Sequence, residues 1–123
     1  MRDHRKLRAF ELADQLTMQI YIRTKGFPRD EQFGLTSQMR RAAVSIASNI
    51  VEGSARHSQA DYVRFLDLAF SSARELEYQL SLARRLEYLT DSDAESLNAL
   101  MEESLRVLSG LIRSLRSPST PSS

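Results

Sequence analysis

Apolar residues recur at spacings of three and four along this chain, and four stretches sustain the pattern far enough to predict helices. In the first, residues 7–24, Phe10, Ala13, Leu16 and Ile20 carry the period. Gly26 and Pro28 then stop it. Residues 29–33 read as a short charged connection. The second helix begins at Leu35 or Thr36 and ends near Gly53 and Ser54. The third opens at Ser58-Gln59-Ala60-Asp61, which has the form of a capping box, and runs to about Tyr88. Tyr62, Leu66, Ala69, Ala73, Leu76, Leu80 and Ala83 give it a heptad-like seam. The fourth starts at Thr90-Asp91-Ser92-Asp93, with acids suited to its N-terminal dipole. Its apolar face is Leu97, Leu100, Met101, Leu105, Leu108, Leu111, Ile112 and Leu115.

The second helix has a pattern of its own. At about 100° per residue, Leu35, Met39, Ala42, Ala43, Ile46 and Ile50 share one arc, which must face the chain's own core. Val44, Ala47 and Val51 form a second arc well round the cylinder, with Arg40 beside them. A surface helix ordinarily has one apolar stripe. The second arc predicts a second cover, and in so short a chain another subunit can supply it. The plainer alternative is that Val44 and Val51 are scattered exposed apolar residues. Glu77 and Arg84 fall inside the apolar arc of the third helix and need partners, either each other or Arg41.

Four helices with short connections predict an all-α, antiparallel up-down-up-down four-helix bundle over residues 7–116. Residues 1–6 form a basic N-terminal arm, and residues 117–123, rich in Pro and Ser, are expected to be disordered. The length of 123 residues suits one domain. The chain has no Cys, which removes disulfides and thiolate chemistry. No apolar run is long enough to span a bilayer, and no apolar segment follows the charged N-terminus as in a secretory leader, so a cytoplasmic protein without membrane contact is expected.

A net charge of +1 gives no global attraction to nucleic acid. The cations are nevertheless almost all Arg, 15 against two Lys, and Arg forks onto phosphates and carboxylates. Arg2, Arg5, Lys6 and Arg8 cluster at the N-terminus, and Arg84, Arg85, Arg113 and Arg116 lie toward helix ends. These eight are the candidate phosphate contacts; ordinary solvated or ion-paired charge is the competing explanation. No Gly-rich phosphate loop or nucleophile elbow is present. Neither His4 nor His57 belongs to a Glu-x-x-His ligand pair. The expectation is a protein that is not an enzyme, with no catalytic residues, no metal and no cofactor.

The run Phe27-Pro28, Gly34-Leu35, Gln38, Arg40-Arg41-Ala42-Ala43, Ser45-Ile46, Asn49-Ile50, Glu52-Gly53 and Arg56 resembles the bacterial four-helix-bundle proteins encoded in intervening sequences of large-subunit ribosomal RNA genes. The likeness extends through Leu7, Ala13, Leu16, Ile20, Tyr21 and Thr24 upstream, and through Phe65-Leu66, Ala69, Glu75-Leu76-Glu77 and Leu80 downstream. Phe10, Ala47 and Val51 depart from the residues common in that family. The resemblance implies a ring-like homopentamer, in agreement with the two-arc pattern, which itself sets no subunit number. It also implies a poorly defined role. One related protein, the accessory variability determinant of diversity-generating retroelements, works with a reverse transcriptase and contacts nucleic acid. The function expected is a non-enzymatic oligomeric scaffold that binds RNA or DNA with a protein partner; the alternative is a purely protein-binding assembly. Arg40, Arg41, Val44, Ala47, Val51, Glu52, Glu75 and Glu77 are read as structural or interface groups.

Overall fold

Small residues set the distance between the two central helices. In the computed structural model, which describes residues 2–116, these are α2 (Leu35–Ser54) and α3 (Gln59–Arg85). They make the most extensive helix–helix contact in the chain. Ser45 Oγ and Ser72 Oγ meet across the seam at 2.8 Å. Near the end of α2, Gly53 lies against α3 so closely that a Cβ there would sit 2.9 Å from Phe65 Cβ and 3.2 Å from the Tyr62 carbonyl oxygen. Gly53 is therefore required by contact with the neighbouring helix.

The other two helices are α1 (Arg8–Thr24) and α4 (Asp91–Arg116). Neighbours in sequence pack side by side, α1 on α2, α2 on α3 and α3 on α4, and α1 closes the bundle against α4. No diagonal pair makes substantial contact among the described residues, so the cross-section is a square of antiparallel helices. Leu12, Leu16 and Ile20 of α1, Met39, Ile46 and Ile50 of α2, Leu66 and Leu76 of α3, and Leu97, Met101 and Leu108 of α4 are fully buried. Each such side chain contributes about 1.5–3 kcal/mol relative to exposure. The expected arcs of α2 and α3 fall as the periodicity places them: every residue of the first α2 arc and of the α3 seam is buried. On α4 the expected face divides, with Leu100, Leu105, Leu111 and Leu115 only half-buried.

The helix ends differ from the expected ones in informative ways. α3 stops at Arg85 rather than Tyr88 because Glu87 turns into the left-handed region at φ 63°. The Tyr88 N–H then donates to the Ala83 carbonyl, closing a Schellman-type end on a residue other than the usual glycine. At the end of α1, Gly26 takes no left-handed conformation; Lys25 stays helical and Pro28 opens the next turn. Residues 29–33 are partly ordered as a 3-10 turn, Arg29–Glu31. Ser58 accepts from the Asp61 N–H and caps α3 as the sequence predicts. Thr90 Oγ1 does the same for the Asp93 N–H at the start of α4. The Pro/Ser-rich segment 117–123 lies outside the described residues, as does Met1.

The close approach at Gly53 sets a test. Gly→Ala inside a helix ordinarily gains about 1 kcal/mol of helix propensity. Forcing a methyl against Phe65 Cβ and the Tyr62 backbone costs about 1–3 kcal/mol, because neither atom is the free end of a flexible side chain. Urea unfolding of Gly53→Ala is expected to show a net loss of stability. A gain of the size that propensity alone predicts would contradict the close packing.

Candidate nucleic-acid and assembly surfaces

The N-terminal arm is folded onto the bundle. Its 3-10 turn, His4–Lys6, is capped by Asp3, whose side chain accepts from the Arg5 N–H. The Arg2 N–H donates to the Ser54 carbonyl and its guanidinium to the Arg56 carbonyl. The same guanidinium stacks 4.0 Å above the Tyr62 ring. Burial pushes the Tyr62 phenol above its usual range, while nearby Arg2 opposes that rise. His4 packs edge-on against Phe10. The arm thus covers the loop between α2 and α3.

These contacts sort the eight candidate cations. Arg2 is held by the arm's own packing. Arg5 forks onto Asp3, which holds that carboxylate below its usual range. Arg8 bridges Glu11 and Glu103, each at 2.7 Å. Lys6 is exposed, with no carboxylate partner among the described residues. Arg116 is paired with Asp67, and Arg113 donates to Ser109 Oγ. Arg84 lies 3.5 Å from Asp91 and 4.0 Å from Glu95. Arg85 reaches the Ser81 carbonyl and stays exposed. The antiparallel fold divides the set between two ends. The arm, Arg8, Arg113 and Arg116 share one end; Arg84 and Arg85 lie at the other, the length of α3 away, about 40 Å.

The interface candidates divide as well. Val44 and Val51 are both exposed, and Ala47 is half-buried. They continue onto α1, where Met18, Tyr21 and Ile22 are also exposed. Arg40 joins the two helices: its Nε donates to Thr24 Oγ1 at 2.9 Å, and its guanidinium lies 4.8 Å from the Tyr21 ring centre. Glu52 pairs with Arg56 at 3.0 Å. Glu77 and Arg84 do not pair with each other or with Arg41. Glu77 reaches the solvent edge and pairs with Arg74 at 3.2 Å, while Arg84 turns to the start of α4. Helical angle placed both in the apolar arc, but their long side chains extend out of it.

Arg41 and Glu75 are exposed and have no ion-pair or hydrogen-bond partner among the described residues. They meet in a cleft of about 400 Å³ between the start of α2 and the middle of α3, lined also by Phe33, Ser37, Gln38 and Gln79. Phe33 and Gln79 were not singled out by periodicity. Phe33 is an aromatic in a polar connection, and Gln79 is one polar residue within an apolar seam; these irregularities were the available signals. Glu31 was missed too. Its Oε1 accepts from the Leu35 N–H at 3.0 Å, capping α2 where Gly34 supplies no side chain. Its Oε2 accepts from the Tyr88 hydroxyl at 2.8 Å. The Leu35 amide, and then Tyr88, hold the Glu31 carboxylate below its usual range, and the Tyr88 phenol rises in return. Among the described residues no group of three or more His, Asp or Glu side chains could hold a metal ion, and no helix is long and apolar enough to cross a membrane.

A square antiparallel bundle with a small-residue α2–α3 seam is the architecture onto which the following likenesses map. A family model described as 23S rRNA-intervening sequence protein matches residues 5–110. The chain belongs to that family. It is also similar to a crystal structure of a protein of unknown function from the S23 ribosomal protein family of Bacteroides thetaiotaomicron. The TM-score is 0.78 and the identity 28%, over 85% of this chain and 95% of that one. No functionally curated protein matches the chain.

The arm's contacts make Arg2 and Lys6 behave differently. Arg2→Ala removes a stacked, half-buried guanidinium and is expected to lower stability by about 1 kcal/mol in urea unfolding. Lys6→Ala is expected to change it by less than about 0.5 kcal/mol. Equal, negligible effects would mean that the arm contributes nothing to the bundle.

Proposed function

We propose that the protein is a non-enzymatic, self-assembling scaffold in the cytoplasm that holds RNA or DNA through phosphate contacts, together with a protein partner. The observation that carries this reading is the separation of two surfaces on one small bundle. Met18, Tyr21, Ile22, Val44 and Val51 put exposed apolar area on the α1–α2 side. The cationic arm and the ends of α1 and α4 lie at one end of the molecule. Burying the apolar side against a second copy leaves the basic end free. The family's link to ribosomal RNA intervening sequences supports RNA as the ligand.

Assembly matters to binding because a single protomer has few uncommitted cations. Most of its arginines already hold a carboxylate, and phosphate must compete for them. Several copies in a ring, a homopentamer as the family resemblance implies, repeat each weak contact. Once one protomer is engaged, its neighbours bind as if at high local concentration. Lys6 and Arg5, on the exposed edge of the arm, and Arg116 at the end of α4 are the contacts proposed at the basic end.

Fluorescence anisotropy with labelled single-stranded RNA across a salt series tests the proposal, with Val44→Glu as the control. Affinity is expected to fall with salt at a log–log slope of about −2 or steeper, which corresponds to roughly three phosphates or more. Val44→Glu is expected to sediment as a smaller species, to stay helical, and to bind about tenfold or more weakly. No binding at low salt would remove the nucleic-acid reading and leave a purely protein-binding assembly.

A further inference from the structure

The cleft between α2 and α3 holds groups that the fold leaves unsatisfied. Gln79 is 5% exposed, and its Oε1 has no hydrogen-bond donor. Beside it stand the Glu75 carboxylate and the Arg41 guanidinium, both without partners among the described residues. Over them Phe33 is 91% exposed, the most exposed large apolar side chain described. One wall is thus an aromatic face, and the rim carries a carboxylate and a cation.

We propose that this cleft binds one unpaired guanine nucleotide of a single-stranded RNA, a proposal that deepens the nucleic-acid reading above and rests on it. Unpaired bases are recognised by stacking on aromatic side chains and by hydrogen bonds to their Watson–Crick edges. Phe33 stacks on the base. Guanine presents N1–H and N2–H side by side, a pair of donors that matches the two oxygens of one carboxylate, Glu75. Adenine and cytosine each place a ring acceptor next to a single amino donor, and that acceptor faces a carboxylate unfavourably. Uracil has one N–H between two carbonyls. Arg41 takes the phosphate of the same nucleotide. In a duplex the guanine edge is already paired, so the cleft selects single strands. Arg41 and Glu75 then serve as ligand groups rather than as the interface groups expected from sequence.

The test uses two oligouridine strands of equal length, one with a central guanosine and one with a central inosine, which lacks the N2 amino group. Anisotropy is measured at fixed salt on the full chain, with Glu75→Gln and Phe33→Ala alongside, and with free GMP as a competitor. Both substitutions are at exposed positions, and circular dichroism and sedimentation check that fold and mass are kept. The guanosine strand is expected to bind about tenfold tighter than the inosine strand. Glu75→Gln is expected to abolish that ratio while leaving the inosine strand unchanged, and Phe33→Ala to weaken the guanosine strand. Equal binding of the two strands overturns the cleft and leaves the phosphate reading standing. Binding of GMP itself, read by calorimetry, without binding of any strand keeps the cleft and removes the phosphate reading. A guanosine preference that survives in Glu75→Gln overturns the assignment. So does a Glu75→Gln variant that changes mass with the base preference intact, since the cleft would then be a contact between copies.

Discussion

The close approach of α2 and α3 governs how the other helices pack and what the surface presents. Gly53 leaves no room for a methyl between it and Phe65, and Ser45 and Ser72 touch across the same seam. Helices that approach this closely must present small side chains to each other. Ser45 and Gly53 of α2 are small where they meet α3. The larger residues, Met39, Ile46 and Ile50, are left to fill the centre of the square with Leu16, Leu66 and Leu97.

That packing determines what the surface can do. An α2 that fills the core with one arc and reaches α3 with small residues still carries Val44 and Val51 on its outer side, beside Met18, Tyr21 and Ile22 of α1. Among the described residues no element covers them. At the other edge of α2, Arg41 and Gln38 face a stretch of α3 that offers Glu75 and Gln79, and the helices there enclose a cleft. At the end of the bundle, Arg2 ties the arm over the α2–α3 turn through Tyr62 and the Arg56 carbonyl, which holds Arg5 and Lys6 at the edge of the fold. One tight seam therefore separates an apolar side, a polar cleft and a basic end.

Much of the fold was legible in the residues because a helical bundle is a local code. The spacing of Leu66, Ala69, Ala73, Leu76 and Leu80 predicts both the helix and its buried side. Ser58 and Thr90 mark their helix starts by chemistry that needs no neighbour. What stayed illegible depends on groups distant in the chain or on side-chain reach. Glu31 caps α2 and holds Tyr88, a partner 57 positions away. Glu87 takes a conformation for which the sequence offers no glycine as a signal. Helical angle alone put Glu77 and Arg84 in the core, whereas their length carries both charges to other partners. The candidate contacts looked like one set because sequence does not show that an antiparallel bundle sends Arg85 to the end opposite Arg5. The cleft could not be read at all: Phe33 lies in a connection, and Gln79 gains meaning only from its unpaired oxygen.

Assembly and nucleic-acid binding are proposed to use separate faces of this bundle. Hydroxyl-radical footprinting, read by mass spectrometry with and without single-stranded RNA, addresses both at once. In the free protein, Met18 and Tyr21 are expected to react far less than their exposure in one protomer implies, as burial against a second copy requires. Phe33, 91% exposed, is expected to react fully and then to be protected when RNA is added. Free reaction of Met18 and Tyr21, together with a Phe33 signal that RNA leaves unchanged, would rule out both surfaces.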